Sequence, residues 1–159
     1  MTIYNLLVAG KSRVNRIVHL SASLIVLTCL VSSMLASLVV EHLGNSHSLA
    51  WLKDMIVFPG LVILITASVA MSGSGFVLAS GRHARLIEKK KKRMMMIAAI
   101  AIVVLLPSAL VLRDWATAGS FGLAYHVLQS GEYLAGGLAL FLICQNIRDG
   151  LRLSGRMRR

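Results

Sequence analysis

Four stretches of this chain are long enough to cross a bilayer and almost free of charge: Ile17–Val40, Met55–Ser80, Met94–Leu112, and Phe121–Cys144, which continues to Asn146. A helix spans the hydrocarbon core with about 20 apolar residues at a rise of about 1.5 Å each. Only Glu132 places a carboxylate inside any of the four. The links Glu41–Asp54, Gly81–Arg93 and Arg113–Ser120 are short, which makes sequence neighbours antiparallel in space. The predicted fold is all-α: a four-transmembrane-helix up-down bundle in which residues 1–159 form one integral membrane domain.

Composition agrees. The chain is 57% hydrophobic and 14% charged, whereas soluble domains run near 45–50% and about 25%. Such apolar richness excludes a disordered chain and argues against an ordinary soluble enzyme. A net charge of +11 would suit a nucleic-acid-binding protein, but the basic residues stand in short blocks between the apolar runs. Lys11, Arg13 and Arg16 precede the first span, Arg82, Arg85 and Lys89 to Arg93 fill the middle link, and Arg148, Arg152, Arg156, Arg158 and Arg159 follow the last. Only Lys53 and Arg113 fall on the other side. By the positive-inside rule both termini are expected in the cytoplasm, in a bacterial inner membrane, with no nucleic acid as partner. The run Lys89, Lys90, Lys91, Lys92 and Arg93 is expected to meet anionic lipid headgroups.

The first span exceeds the roughly 7–15 residues of a signal-peptide core, so it reads as a permanent helix, with Thr2–Ala9 lying in the interface. Cys29 and Cys144 differ in depth, which argues against a disulfide between them. No Cys-x-x-Cys, His-Glu-x-x-His, glycine-rich phosphate loop or Ser-His-Asp signature occurs, and no catalytic residue emerges.

Polar residues in hydrocarbon mark the inward face of a helix. On the fourth span His126, Gln129, Ser130, Tyr133, Gly137 and Cys144 share an arc, with Glu132 and Gly136 at its edge. On the first, His19, Ser23, Ser33, Ser37 and Glu41 form a stripe; on the second, Thr66, Ala70, Gly73 and Ser80 do, continued by Ser74 in the Gly73-Ser74-Gly75 stretch. The third span has only Pro107, expected to kink it, and Ser108. The first, second and fourth spans are therefore expected to share the interior, and the third to face lipid. Small residues at these spacings let helices approach closely. In the tail, Gly150 is expected to end the fourth helix.

Glu132 lies near mid-span, where an ionised carboxylate is costly unless paired. With no Lys or Arg inside a span, its expected partners are Thr66, Gln129, Tyr133 and the serines of the first span. Such an intramembrane polar site either pins the bundle or carries a proton or cation. The histidines offer two ligand pairs for haem b or a metal, His42 with His126 at one end and His19 with His83 at the other.

Arg16-Ile17-Val18-His19-Leu20, Phe58-Pro59-Gly60-Leu61, Gln129-x-x-Glu132 and Asn146-x-Arg148-Asp149-Gly150 together resemble a group of small bacterial four-helix inner-membrane proteins of unassigned function. In layout the chain is also distantly similar to copper-resistance protein D and to the HemJ-type protoporphyrinogen oxidases, multihelix bundles with a first-helix histidine. That resemblance implies copper or haem chemistry. Ser21-Ala22-Ser23 stands where those families carry a tryptophan-glycine pattern. The function expected first is a non-enzymatic accessory protein or complex subunit, able to form homo-oligomers. A haem or metal redox protein and a proton-coupled transporter or channel with Glu132 as titrating group are the alternatives.

Overall fold

The computed structural model describes residues 3–79 and 85–153. They form helices α1 (Ile3–Leu43), α2 (Ser46–Met55), α3 (Val62–Ala79), α4 (Arg85–Ile100), α5 (Leu106–Thr117) and α6 (Leu123–Leu153). No strand occurs among the described residues. α2 passes through a break at Ile56–Leu61 into α3, and α4 through a widened turn at Ala101–Leu105 into α5. The result is four helical rods, each long and apolar enough to cross a membrane.

The interruptions have local causes. Asn45 caps α2, its side chain accepting the Ser48 N–H at 2.8 Å, so a helix begins well before the apolar run does. At the α2–α3 break Phe58 is extended (φ −137°, ψ 113°) and joined to Pro59 by a cis peptide bond. Proline has no N–H to give and disfavours helical geometry in the residue before it. Ahead of Pro107, the Leu106 N–H reaches back five residues to the Ala101 carbonyl. This wider turn absorbs the strain a proline ring imposes on the preceding turn. α5 ends at Gly119, whose φ of +68° suits glycine. There the Ser120 N–H bonds the Trp115 carbonyl and the Gly119 N–H that of Ala116, satisfying the last turn.

Consecutive rods run antiparallel. His19, early in α1, meets Met71 and Ser74, late in α3. Asp54 in α2 meets Arg113 near the end of α5, and Arg93 early in α4 meets Asp149 late in α6. Glu41, late in α1, meets Tyr133 in the first half of α6, which closes the ring of four. One end thus carries Glu41, Lys53, Asp54 and Arg113, and the opposite end carries the described lysines of α4.

The packed faces differ in part from expectation. On α1 the buried residues Ala22, Val26, Leu30 and Ser37 lie along the expected stripe. On α3 they are Ala67 and Ser74, while Thr66 and Gly73 are exposed. On α6 the buried line is Tyr125, Gln129, Gly136, Ala139, Leu142, Asn146 and Asp149, so Gly136 sits inside the contact rather than at its edge. His126, Ser130, Gly137 and Cys144 are exposed. The third rod does not simply face lipid: Ser108, Ala109, Leu112 and Ala116 are buried, and Leu112 packs with Leu49, Ala116 and Tyr125 in one cluster. Apart from Ser108 that packing face is apolar, so the sequence offered one polar marker for it and the rest of the face went unmarked. The fourth helix also continues past Gly150 to Leu153. Cys29 and Cys144 are both free.

Candidate functional site

The charged centre of the bundle is an ion pair between rods two and four. Lys53 Nζ lies 3.0 Å from Glu132 Oε2, with the lysine side chain only 1% exposed and the glutamate 17%. The Gln129 side-chain N–H donates to the same oxygen at 3.0 Å. Lys53 is helical because α2 starts at Ser46, and it sits on the face of that helix shared with Leu49. Gln129 and Glu132 are three residues apart on α6, so both reach one point. A buried carboxylate with an ammonium and an amide donor has its charge compensated, which a lone buried charge would not.

This resolves the expected partners of Glu132 differently. Gln129 is one of them. Lys53, placed by its sequence position in a link, is the main one. Thr66 is not: its hydroxyl donates to the Val62 carbonyl of its own helix at 2.8 Å and it is exposed. Tyr133 turns instead to Glu41, donating to Oε2 at 2.7 Å. His126 Nδ1 stands 3.4 Å from the other oxygen of Glu41. The signal that could have found Lys53 is the Asn45 cap followed by helix-compatible residues up to Met55, which extends the second helix outward by about two turns.

A cavity of about 60 Å³ adjoins this centre. Its polar lining is Ser33 and Ser37 from α1 with Glu132 and Tyr133 from α6; apolar lining comes from residues such as Leu30, Leu64, Leu105 and Ala109. Farther along the same face of α6, Gln129 Oε1 and the Tyr125 hydroxyl are buried without a hydrogen-bond partner.

The histidines are not assembled around a common point. His42 donates through Nδ1 to the Leu38 carbonyl of its own helix at 2.8 Å and is exposed. His126 is 57% exposed and faces Glu41. His19 is held at the opposite end, its Nδ1 donating to the Met71 carbonyl at 2.9 Å, and His83 lies outside the described residues. Among the described residues no group of three or more His, Cys, Asp or Glu side chains could hold a metal ion.

At the basic end Arg93 donates to Asp149 at 2.7 Å and, more weakly, to Asn146 at 3.4 Å. Lys91 lies 5.8 Å from the centre of the Phe76 ring. Part of the basic run is therefore directed into the bundle. The chain matches no family model, no curated protein and no solved structure.

Proposed function

We propose that the chain is a multi-pass protein of a bacterial inner membrane, with both termini cytoplasmic, acting as a non-enzymatic accessory protein or subunit of a membrane complex. The observation that carries this reading is the Lys53–Glu132 pair, which gives the one mid-span carboxylate a counter-charge from another rod. A charge-compensated pair joining two helices has the character of a clamp that fixes their register. The topology rests on the Lys and Arg asymmetry between the two sets of links. Lys89, Lys90, Lys91 and Lys92 would contact anionic headgroups; Arg93 is already engaged by Asp149. Kinship with small four-helix inner-membrane proteins belongs to the same reading.

The test uses purified protein in liposomes and native gels of membranes. The Lys53→Met/Glu132→Leu double variant is expected to keep its place in any larger complex, and no flux driven by a pH gradient is expected. A flux abolished by Glu132→Gln would overturn the accessory reading in favour of proton-coupled transport. A reduced-minus-oxidised spectrum with metal analysis belongs in the same set, and a b-type spectrum would overturn it in favour of haem redox chemistry.

A further inference from the structure

Beside the Lys53–Glu132 pair lies unmet hydrogen-bonding capacity. Both bonds described for Glu132 fall on Oε2, leaving Oε1 without a donor among the described residues, and Glu132 lines the cavity. Ser37 is 3% exposed and lines the same cavity. The described α1 serines Ser21, Ser23, Ser32 and Ser33 all donate to a carbonyl of the preceding turn. Ser37, which lines the cavity, shows no such bond. About 60 Å³ is room for two or more waters, each of which occupies about 30 Å³ in the liquid. The lining is mostly apolar, but the Glu132 carboxylate with Ser33, Ser37 and Tyr133 gives it a polar patch, and a cavity with two or more polar partners of this kind holds water where a wholly apolar one stays dry.

The cavity also has a polar connection to one end only. Tyr133, which lines it, donates to Glu41, and Glu41 stands next to the exposed His126. Toward the basic end, the buried residues next to the cavity are Ala22, Val26 and Leu30 on α1 and Gly136, Ala139 and Leu142 on α6, and the next buried titratable group described on α6 is Asp149, already bonded to Arg93. The ionisable groups around the site are Lys53 from α2, Glu41 from α1, and Tyr125, His126 and Tyr133 from α6. α5 lines the cavity only through Ala109. The Asp54–Arg113 pair lies near the same end, at the surface.

We propose that this cavity is a hydrated proton-exchange site: waters bound by Ser37 Oγ, Glu132 Oε1 and Tyr133 let Glu132 exchange protons with the Glu41 end of the bundle and not with the other. Once Glu41 has taken a proton from solvent, its bond to Tyr133 reverses: Tyr133 turns its hydroxyl proton to a cavity water and releases it there while its oxygen accepts the Glu41 proton. That water gives one of its protons to Glu132 Oε1. The net change is one proton from solvent added to Glu132, with Glu41, Tyr133 and the water restored. The site is independent of whether the chain serves as an accessory protein, because a clamp can be hydrated from one side.

Two measurements on protein in lipid nanodiscs test it. In hydroxyl-radical footprinting, Met34, which lines the cavity, is expected to be oxidised at least threefold faster in the wild type than in Ser37→Leu, which fills the space. Ser37→Ala serves if the leucine variant does not fold, and there a smaller decrease is expected. Equal oxidation in the wild type and the variant that folds would mean a dry cavity and overturn the proposal. In infrared spectroscopy after an acid jump, the carboxylic-acid band absent in Glu132→Gln reports protonation of Glu132. Its rise is expected to slow at least tenfold in Tyr133→Phe. An unchanged rate would overturn the route through Tyr133 and Glu41.

Discussion

The seam between α1 and α3 and the seams onto α6 are built on opposite principles. Among the described residues α1 and α3 make the most extensive contact, yet no ion pair crosses it. It is made of small and branched residues, Ala22 and Val26 against Ala67 and Ser74, with Gly75 letting the His19 ring approach. α6 meets each of its neighbours less extensively than α1 meets α3, and holds two of them with charge: Glu132 to Lys53 on α2, Asp149 to Arg93 on α4. In lipid there is no hydrophobic drive between helices, so close van der Waals contact and polar bonds are the available means. Small residues give area but little register. A charge pair gives register, because sliding one helix by a turn leaves two charges unpaired.

The comparison can be broken at several places, with effects that fall as burial falls. The largest is expected for Lys53→Met, which strands Glu132. Loss of one partner from a buried pair costs about 3–5 kcal/mol, read as a large drop in the detergent melting midpoint. Adding Glu132→Leu to that variant removes the stranded charge, and stability should return to within about 1 kcal/mol of the starting protein. If the double variant is as unstable as the single, the pair is not the reason for the loss.

Asp149→Ala comes next. Arg93 is 18% exposed and keeps Asn146, so about 1–3 kcal/mol is expected in the same melt. On the small-residue seam, Gly75→Val puts a Cβ 3.1 Å from His19 Cε1. The expected cost is about 1–3 kcal/mol from overpacking, with weaker cross-linking between cysteines placed in α1 and α3. The smallest effect belongs to Arg113→Ala. Its partner Asp54 is 43% exposed, and exposed pairs are screened by salt, so no resolvable shift is expected at physiological ionic strength. A shift as large as that of Asp149→Ala would mean that the surface pair also sets register.

Much of the architecture was readable from the chain. The four apolar runs, the antiparallel order of rods and the stripe along α1 from His19 to Glu41 follow from span length, link length and spacing. Helical phase on the second rod was only partly readable: Ser74 faces inward as its place among the small residues suggested, but beside it stands Ala67, while Thr66 meets its hydroxyl's need within its own helix and is exposed. On α6 the polar residues were a partial guide. Gln129 and Asn146 are buried, but His126 and Ser130, near the Glu41 end, are exposed and did not mark the packing face. The candidate site was half legible: Glu132 and Gln129 stood out, while Lys53 was hidden by its position outside the apolar run.

The sequence by itself determined that this chain makes four helices of membrane-crossing length, since apolar run length and the spacing of charges are properties of the linear order. The tertiary structure decided which charge meets which. Lys53 and Glu132 are 79 residues apart, and only the rotation of α2 and α6 about their axes brings them to 3.0 Å. That rotation is set by packing around Leu49, Leu112, Ala116 and Tyr125, a cluster drawn from three rods with no pattern in any one of them that specifies it.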